Sequence, residues 1–154
     1  MVGILFVCLG NICRSPMAEF IFKKLIKEKG LENEFYVESA ATSSWEIGNP
    51  VYPPAAKKLA EHGISAKGKR ARILEKTDHE KFDFIIGMED SNIKEIKRIV
   101  RCENSDKIYK LLDFAGGGNI ADPWYTNDFE TAYEDISKGC AGLIESIEKD
   151  QFSS

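Results

Sequence analysis

Cys8-Leu9-Gly10-Asn11-Ile12-Cys13-Arg14-Ser15 sets a thiol and a guanidinium six positions apart, with a glycine and an asparagine between them. These side-chain types suit covalent phosphoryl chemistry. A thiolate is a strong nucleophile, and an arginine fork holds two oxygens of a tetrahedral anion, placing phosphorus over sulfur for in-line attack. Such a pair also arises by accident, so the flanks decide. Val2 to Val7 is the nearly unbroken apolar run of a central parallel strand, and Cys8 falls at its carboxyl end, where α/β proteins carry their chemistry. Beyond the loop, Ser15 suits an N-cap and Pro16 the first helical position. Met17, Phe20, Ile21 and Leu25 then make a buried stripe that Gly30 ends. The loop therefore opens a helix. Its amides from Leu9 through Ile12 to Ser15, with the positive helix end, form an anion nest, and Gly10 and Asn11 tolerate the left-handed backbone of a tight curl. The same surroundings stabilise a Cys8 thiolate and lower its pKa. A free Cys more often ends a strand as a small buried hydrophobe, and the motif context argues against that here.

Displacing an ester oxygen from phosphorus needs a proton donor, and hydrolysing a thiophosphate ester needs an activated water, so one carboxyl can serve both steps. Asp122 is the candidate. Pro123 holds it extended in a loop after the fourth strand, on the same edge of the sheet as Cys8. Helix capping better suits Asp128. Trp124, Tyr125 and, after strand two, Trp45 offer walls for a flat ring. Cys13 is either a resolving thiol that protects Cys8 from over-oxidation or a space filler, and Cys102 and Cys140 read as structural residues in separate helices. Lys67, Lys69, Arg70 and Arg72 read as a solvated basic loop, and His62 and His79 as helix-end and surface residues.

These residues need a scaffold. The 154-residue chain is one domain's length, read as a single domain over 1–154, and its net charge of −4 gives no field for nucleic acid or anionic membrane. Absence of a signal-like start and of any spanning apolar run predicts a soluble cytoplasmic protein with reduced cysteines and no metal or other cofactor. Further strands are expected at Phe35 to Ala40, Phe82 to Met88 and Lys107 to Leu112. Helices are expected from Pro54 to Gly63, from a Ser91 cap to about Arg101, and over Phe129 to Glu148, and Gly116 to Gly118 reads as a loop. Alternating β and α segments with right-handed crossovers predict a three-layer α/β fold: a four-stranded parallel sheet of order 2-1-3-4, helices on both faces, and the phosphate-binding loop after strand 1 at the switch point.

Three blocks, V-C-L-G-N-I-C-R-S-P at 7–16, E-I-G-N-P at 46–50 and D-P-W-Y at 122–125, make the chain resemble the low-molecular-weight protein tyrosine phosphatases along nearly its whole length. The resemblance implies a metal-free cysteinyl-phosphate mechanism with Cys8 as nucleophile, Arg14 as phosphate clamp, Asp122 as general acid and base, and Asn11 and Ser15 supporting thiolate and loop. It also implies Cys13 as redox-protective cysteine and Trp45, Trp124 and Tyr125 as rim residues. Lys69-Arg70-Ala71-Arg72 departs from the family, whose animal members usually carry a His ahead of the Ala-Arg pair to support the asparagine. Implied partners are phosphotyrosine proteins, small aryl phosphates and inorganic phosphate, with the protein a monomer or weak dimer. The apolar Ile12 suits an aryl group better than a charged guanidino group, and phosphoarginine hydrolysis stands as a variant of this reading. Thioredoxin-coupled arsenate reduction, on the same fold, needs two further cysteines close together.

Overall fold

In the computed structural model, which describes residues 1–152, the four strands are β1 (Val2–Cys8), β2 (Phe35–Ala41), β3 (Phe84–Gly87) and β4 (Ile108–Lys110). All pairings are parallel and the order is β2-β1-β3-β4, as expected. Val2 to Cys8 register against Phe35 to Ala41, so Cys8 ends level with Ala41 at the sheet's carboxyl edge. The helices are α1 (Arg14–Glu28), α2 (Pro53–Glu61), α3 (Asp78–Lys81), α4 (Asp90–Val100), α5 (Pro123–Thr126) and α6 (Phe129–Ile147), with a π turn over Glu148–Phe152. No helix among the described residues is long and apolar enough to cross a membrane.

Strand alternation divides the core. Ile4, Phe6 and Cys8 of β1 pack with Met17, Phe22, Ile136, Cys140 and Ile144 of α1 and α6. Leu5 and Val7 point the other way, to Leu74, Phe82, Ile85, Ile96 and Val100. Helices thus cover both faces of a sheet whose central strands are apolar on both sides. Two mid-helix glycines permit the close seat of α6, because a methyl at Gly139 would overlap Leu111, and one at Gly142 the Phe114 carbonyl.

Several expectations shift. Ser15 does not cap α1: the cap position is Cys13 with no side-chain bond, Ser15 is already helical, and Pro16 sits third, still within the turn where its missing N–H costs nothing. The buried stripe is rotated, with Phe22 and Ile26 inside and Phe20 and Leu25 only half-buried, because α1 packs against both β2 and α6. Gly30 stops this helix as expected, at φ 71° with Leu31 N–H on Ile26 O. β3 and β4 are shorter than their apolar runs. Leu111–Phe114 turns into a 3₁₀ segment that seats Leu111 against α6 instead of extending the strand. Residue 91 is inside α4, whose cap is Glu89, and Asn92 Oδ1 accepts the amides of Met88 and Glu89 at 3.0 and 3.1 Å. Asp128 does cap α6, accepting Thr131 N–H at 3.0 Å. Cys102 lies just past α4, after Arg101 at φ 57°, and not in a helix.

Candidate active site

The loop between β1 and α1 is curled by where its carbonyls go. Thr42 N–H donates to Cys8 O and Ser43 N–H to Leu9 O, both at 3.0 Å, Tyr52 N–H donates to Ile12 O at 2.9 Å, and Met17 N–H takes Cys13 O at 3.1 Å. With those oxygens held by the surrounding backbone, the loop amides turn inward. Asn11 N–H and Ser15 N–H both aim at Cys8 Sγ from 3.4 Å. Asn11 alone takes the left-handed conformation, at φ 60°; Gly10, expected to share it, has an ordinary φ.

Hydrogen-bond polarity around the thiol follows from Asn11. Its Oδ1 accepts Arg72 N–H at 3.1 Å, which fixes the amide orientation. Its Nδ2 donates to Ser15 Oγ at 2.7 Å and to Ser39 Oγ at 2.9 Å. Ser39 in turn donates to Glu19 Oε1 at 2.5 Å. Because Ser15 Oγ is already accepting, its own hydrogen is free for Cys8 Sγ, 3.0 Å away. The sulfur is thereby offered three donors, two amides and a hydroxyl. No buried polar side-chain atom among the described residues lacks a partner.

Arg14 is 2% exposed and enclosed by acceptors. Its Nη1 donates to Glu89 Oε2 and, at 2.7 Å, to Ile120 O, while Nη2 lies 3.3 Å from Asp122 Oδ2. Burial raises the Glu89 carboxyl, but the bonds from Ser91 and Arg14 and the guanidinium charge outweigh it and hold Glu89 below the ordinary carboxylate range. Asp122 caps α5, its Oδ1 accepting Trp124 N–H at 3.1 Å and its backbone extended as Pro123 requires, so Oδ2 is left toward Arg14.

One cavity collects Cys8, Leu9, Gly10, Ile12, Cys13, Arg14, Trp45, Glu46, Asp122, Trp124 and Tyr125. The sequence-predicted loop, acid and rim residues therefore line or frame a single cleft, with Asn11 and Ser15 buried behind its wall. Trp45 and Tyr125 are about three-quarters exposed at its mouth, and Trp124 leans on Tyr52 with ring centroids 4.7 Å apart. Burial, together with the Cys8 and Asp122 charges, pushes the Cys13 thiol up, so it stays protonated.

The basic stretch is not all solvated. Lys67 and Arg70 are exposed, but Lys69 donates to Ser39 O at 2.9 Å and approaches Glu19, and Arg72 is held by Glu38 and Asp78. Sequence reading missed Glu19, Ser39, Glu46, Tyr52 and Glu89. Only Glu46 carried a signal, as the residue beside Trp45. His62 stacks on Tyr133 at a helix end and His79 bonds Ser105 Oγ at 2.7 Å, both away from the cleft.

The sequence profile of the family described as low molecular weight phosphotyrosine protein phosphatase matches residues 3–153. The chain is 42% identical over 154 residues to the low molecular weight protein-tyrosine-phosphatase YfkJ of Bacillus subtilis, covering 98% of this chain and 99% of that one. It is 40% identical over 152 residues to PtpA of Staphylococcus aureus, covering 97% and 96%. The crystal structure of YfkJ superposes with a TM-score of 0.94 at 41% identity, over 98% and 97% of the two chains. The drosophila arginine phosphatase DARP superposes with a TM-score of 0.87 at 30% identity, over 96% and 99%.

Proposed function

The chain belongs to the low molecular weight phosphotyrosine protein phosphatase family, and from that premise we propose that it hydrolyses phosphotyrosine in proteins through a phosphocysteine formed on Cys8. The observation carrying this reading is the thiol at the floor of the cleft, 3.4 Å from two amides and 3.0 Å from a hydroxyl that has its proton to give. The phosphoryl oxygens sit among the amides of Leu9 to Ser15 with Arg14 as clamp. The Cys8 thiolate attacks phosphorus, the S–P bond forms as the P–O(aryl) bond breaks, and protonated Asp122 gives its proton to the departing phenolate. Water then attacks the phosphocysteine, Asp122 takes its proton, and the S–P bond breaks to return the thiolate and release inorganic phosphate. Charge that builds on the equatorial oxygens meets donors already oriented for it.

The apolar lining favours an aryl ester over the guanidino group of phosphoarginine: Leu9, Ile12, Trp45, Trp124 and Tyr125 all line the cleft. A thioredoxin-coupled arsenate relay finds no support, because Cys140 packs into the α1–α6 core and Cys102 against the cluster on the opposite face of the sheet. Cys13, whose thiol lines the same cleft, is the candidate resolving cysteine for an oxidised Cys8. A thiol chemistry of this kind requires a reducing compartment, which supports the cytoplasm as its location. Among the described residues, Trp45, Trp124 and Tyr125 gather at the cleft mouth and the other large exposed apolar residues, Met1, Tyr36 and Ile47, lie outside its lining, which fits a monomer or weak dimer.

The test is turnover of p-nitrophenyl phosphate and of phosphotyrosine and phosphoarginine peptides, with rapid quench of the Asp122→Asn enzyme. A ³²P label recovered on the Cys8 peptide and a preference for the phosphotyrosine peptide are expected. Label on any other residue, or full activity in Cys8→Ser, rejects the mechanism.

A further inference from the structure

Arg72 lies outside the cleft, 61 residues from Asn11 in the chain, yet its backbone N–H is what Asn11 Oδ1 accepts. Its carbonyl meanwhile takes Ala41 N–H at 2.7 Å, locking the residue to the end of β2. Its guanidinium is bound on three sides. Nε and Nη2 reach Glu38 Oε1 at 3.2 and 3.0 Å, Nη1 and Nη2 grip both oxygens of Asp78 at 3.0 and 3.2 Å, and Nη1 also meets Ile73 O at 3.1 Å. Asp78 is 5% exposed and also accepts Glu75 N–H at 2.8 Å, so the anchor is itself fixed. An Arg fork can be held bidentate in this way, and a lysine cannot.

We propose that the Glu38–Arg72–Asp78 ion-pair cluster is a positioning device for the nucleophile: by holding the Arg72 N–H against Asn11 Oδ1 it sets the orientation of the Asn11 amide and, through it, the donor role of Ser15 toward Cys8. An Asn amide presents different groups on its two sides. Turned over, it offers its oxygen to Ser15 and Ser39, Ser15 donates there, and the sulfur loses its O–H donor. Because the deciding donor is a backbone N–H, no substitution at residue 72 deletes it; what substitution removes is the clamp that aims it. This rests on the reading of Cys8 as nucleophile, which the Cys8→Ser and trapping experiments test separately.

The experiment is a double-mutant cycle between Arg72→Met and Asn11→Ala. Readouts are kcat and KM for p-nitrophenyl phosphate and the rate of iodoacetate alkylation at the Cys8 peptide, with folding followed by near-ultraviolet circular dichroism. With Asn11 intact, Arg72→Met lowers kcat and alkylation together by about tenfold with KM little changed; in the Asn11→Ala background it lowers neither further. Arg72→Lys recovers only part of the loss. Equal losses in both backgrounds, or a kcat loss with alkylation unchanged, overturn the proposal. Should Arg72→Met not fold, the milder Glu38→Gln and Asp78→Asn variants enter the same cycle with the same criteria. Loss of all alkylation specificity for Cys8 in wild type would instead indict the nucleophile assignment.

Discussion

The loop end of the sheet and the face turned away from it bury different chemistry. Leu5, Val7, Ile85, Ile96 and Val100 on one face interlock through apolar contact, and any residue there is worth what its burial is worth. Under the loop, Cys8 and Ile12 share their surroundings with Asn11, Arg14, Ser15, Glu19 and Ser39, all buried and all polar. Those groups are tolerable only because each is bonded, and all but Arg14 join one chain in which Asn11 donates both ways, through Ser39 to Glu19 and through Ser15 to the sulfur. The apolar face tolerates a change of shape at a cost in stability alone. The polar cluster under the loop converts a single lost partner into a change of reactivity.

Substitutions separate the two regimes. The largest effect is Cys8→Ser, which abolishes p-nitrophenyl phosphate turnover while shifting Tm by no more than about 4 °C, the equivalent of roughly 1 kcal/mol in a chain this size. Asp122→Asn follows, losing roughly 10²- to 10⁴-fold in kcat. Its deficit should be larger for phenyl phosphate than for the better-leaving p-nitrophenyl ester; equal deficits would remove the acid role. Ile85→Ala, on the apolar face, should cost about 2–5 kcal/mol in urea denaturation with kcat per folded molecule unchanged. A catalytic defect there would erase the contrast. Ser39→Ala breaks the polar chain at its middle and takes one partner from each of Glu19 and Asn11, so about 1–3 kcal/mol of stability should go together with a fall in kcat.

The smallest effect is a pH dependence. Glu89 ionises more readily folded than unfolded, so its contribution to stability is full above the ordinary carboxylate range and is lost as pH falls through its lowered folded value. Glu89→Gln should therefore flatten the acid side of the stability profile, measured by denaturant midpoints, and leave the neutral side parallel to wild type.

The strand order, the loop at the switch point and the meeting of Cys8, Arg14 and Asp122 in one cleft were legible because each depends on local information: an apolar run, a turn, a proline after an aspartate. Less was legible at element ends. β4 reads as a longer strand until Leu111 is seen seated on α6, and Ser15 reads as a cap until its hydroxyl is seen spent on the thiol. Glu89 carries no local signal at all, and Arg72 only an Ala-Arg pair without the His that would tie it to the asparagine. They meet Arg14 and Asn11 across 75 and 61 residues, and nothing near them in the chain marks which of many charged residues will arrive there.

Sequence by itself determined the kind of protein: its family, a thiol set in a tight loop between strand and helix, and an alternation that admits few topologies. Tertiary structure alone decided which way each hydrogen bond points around that thiol. Donor direction is set by the last unshared partner in a chain of contacts, and those partners come from β2, α1 and the segment after α2, which only the folded sheet brings to one edge.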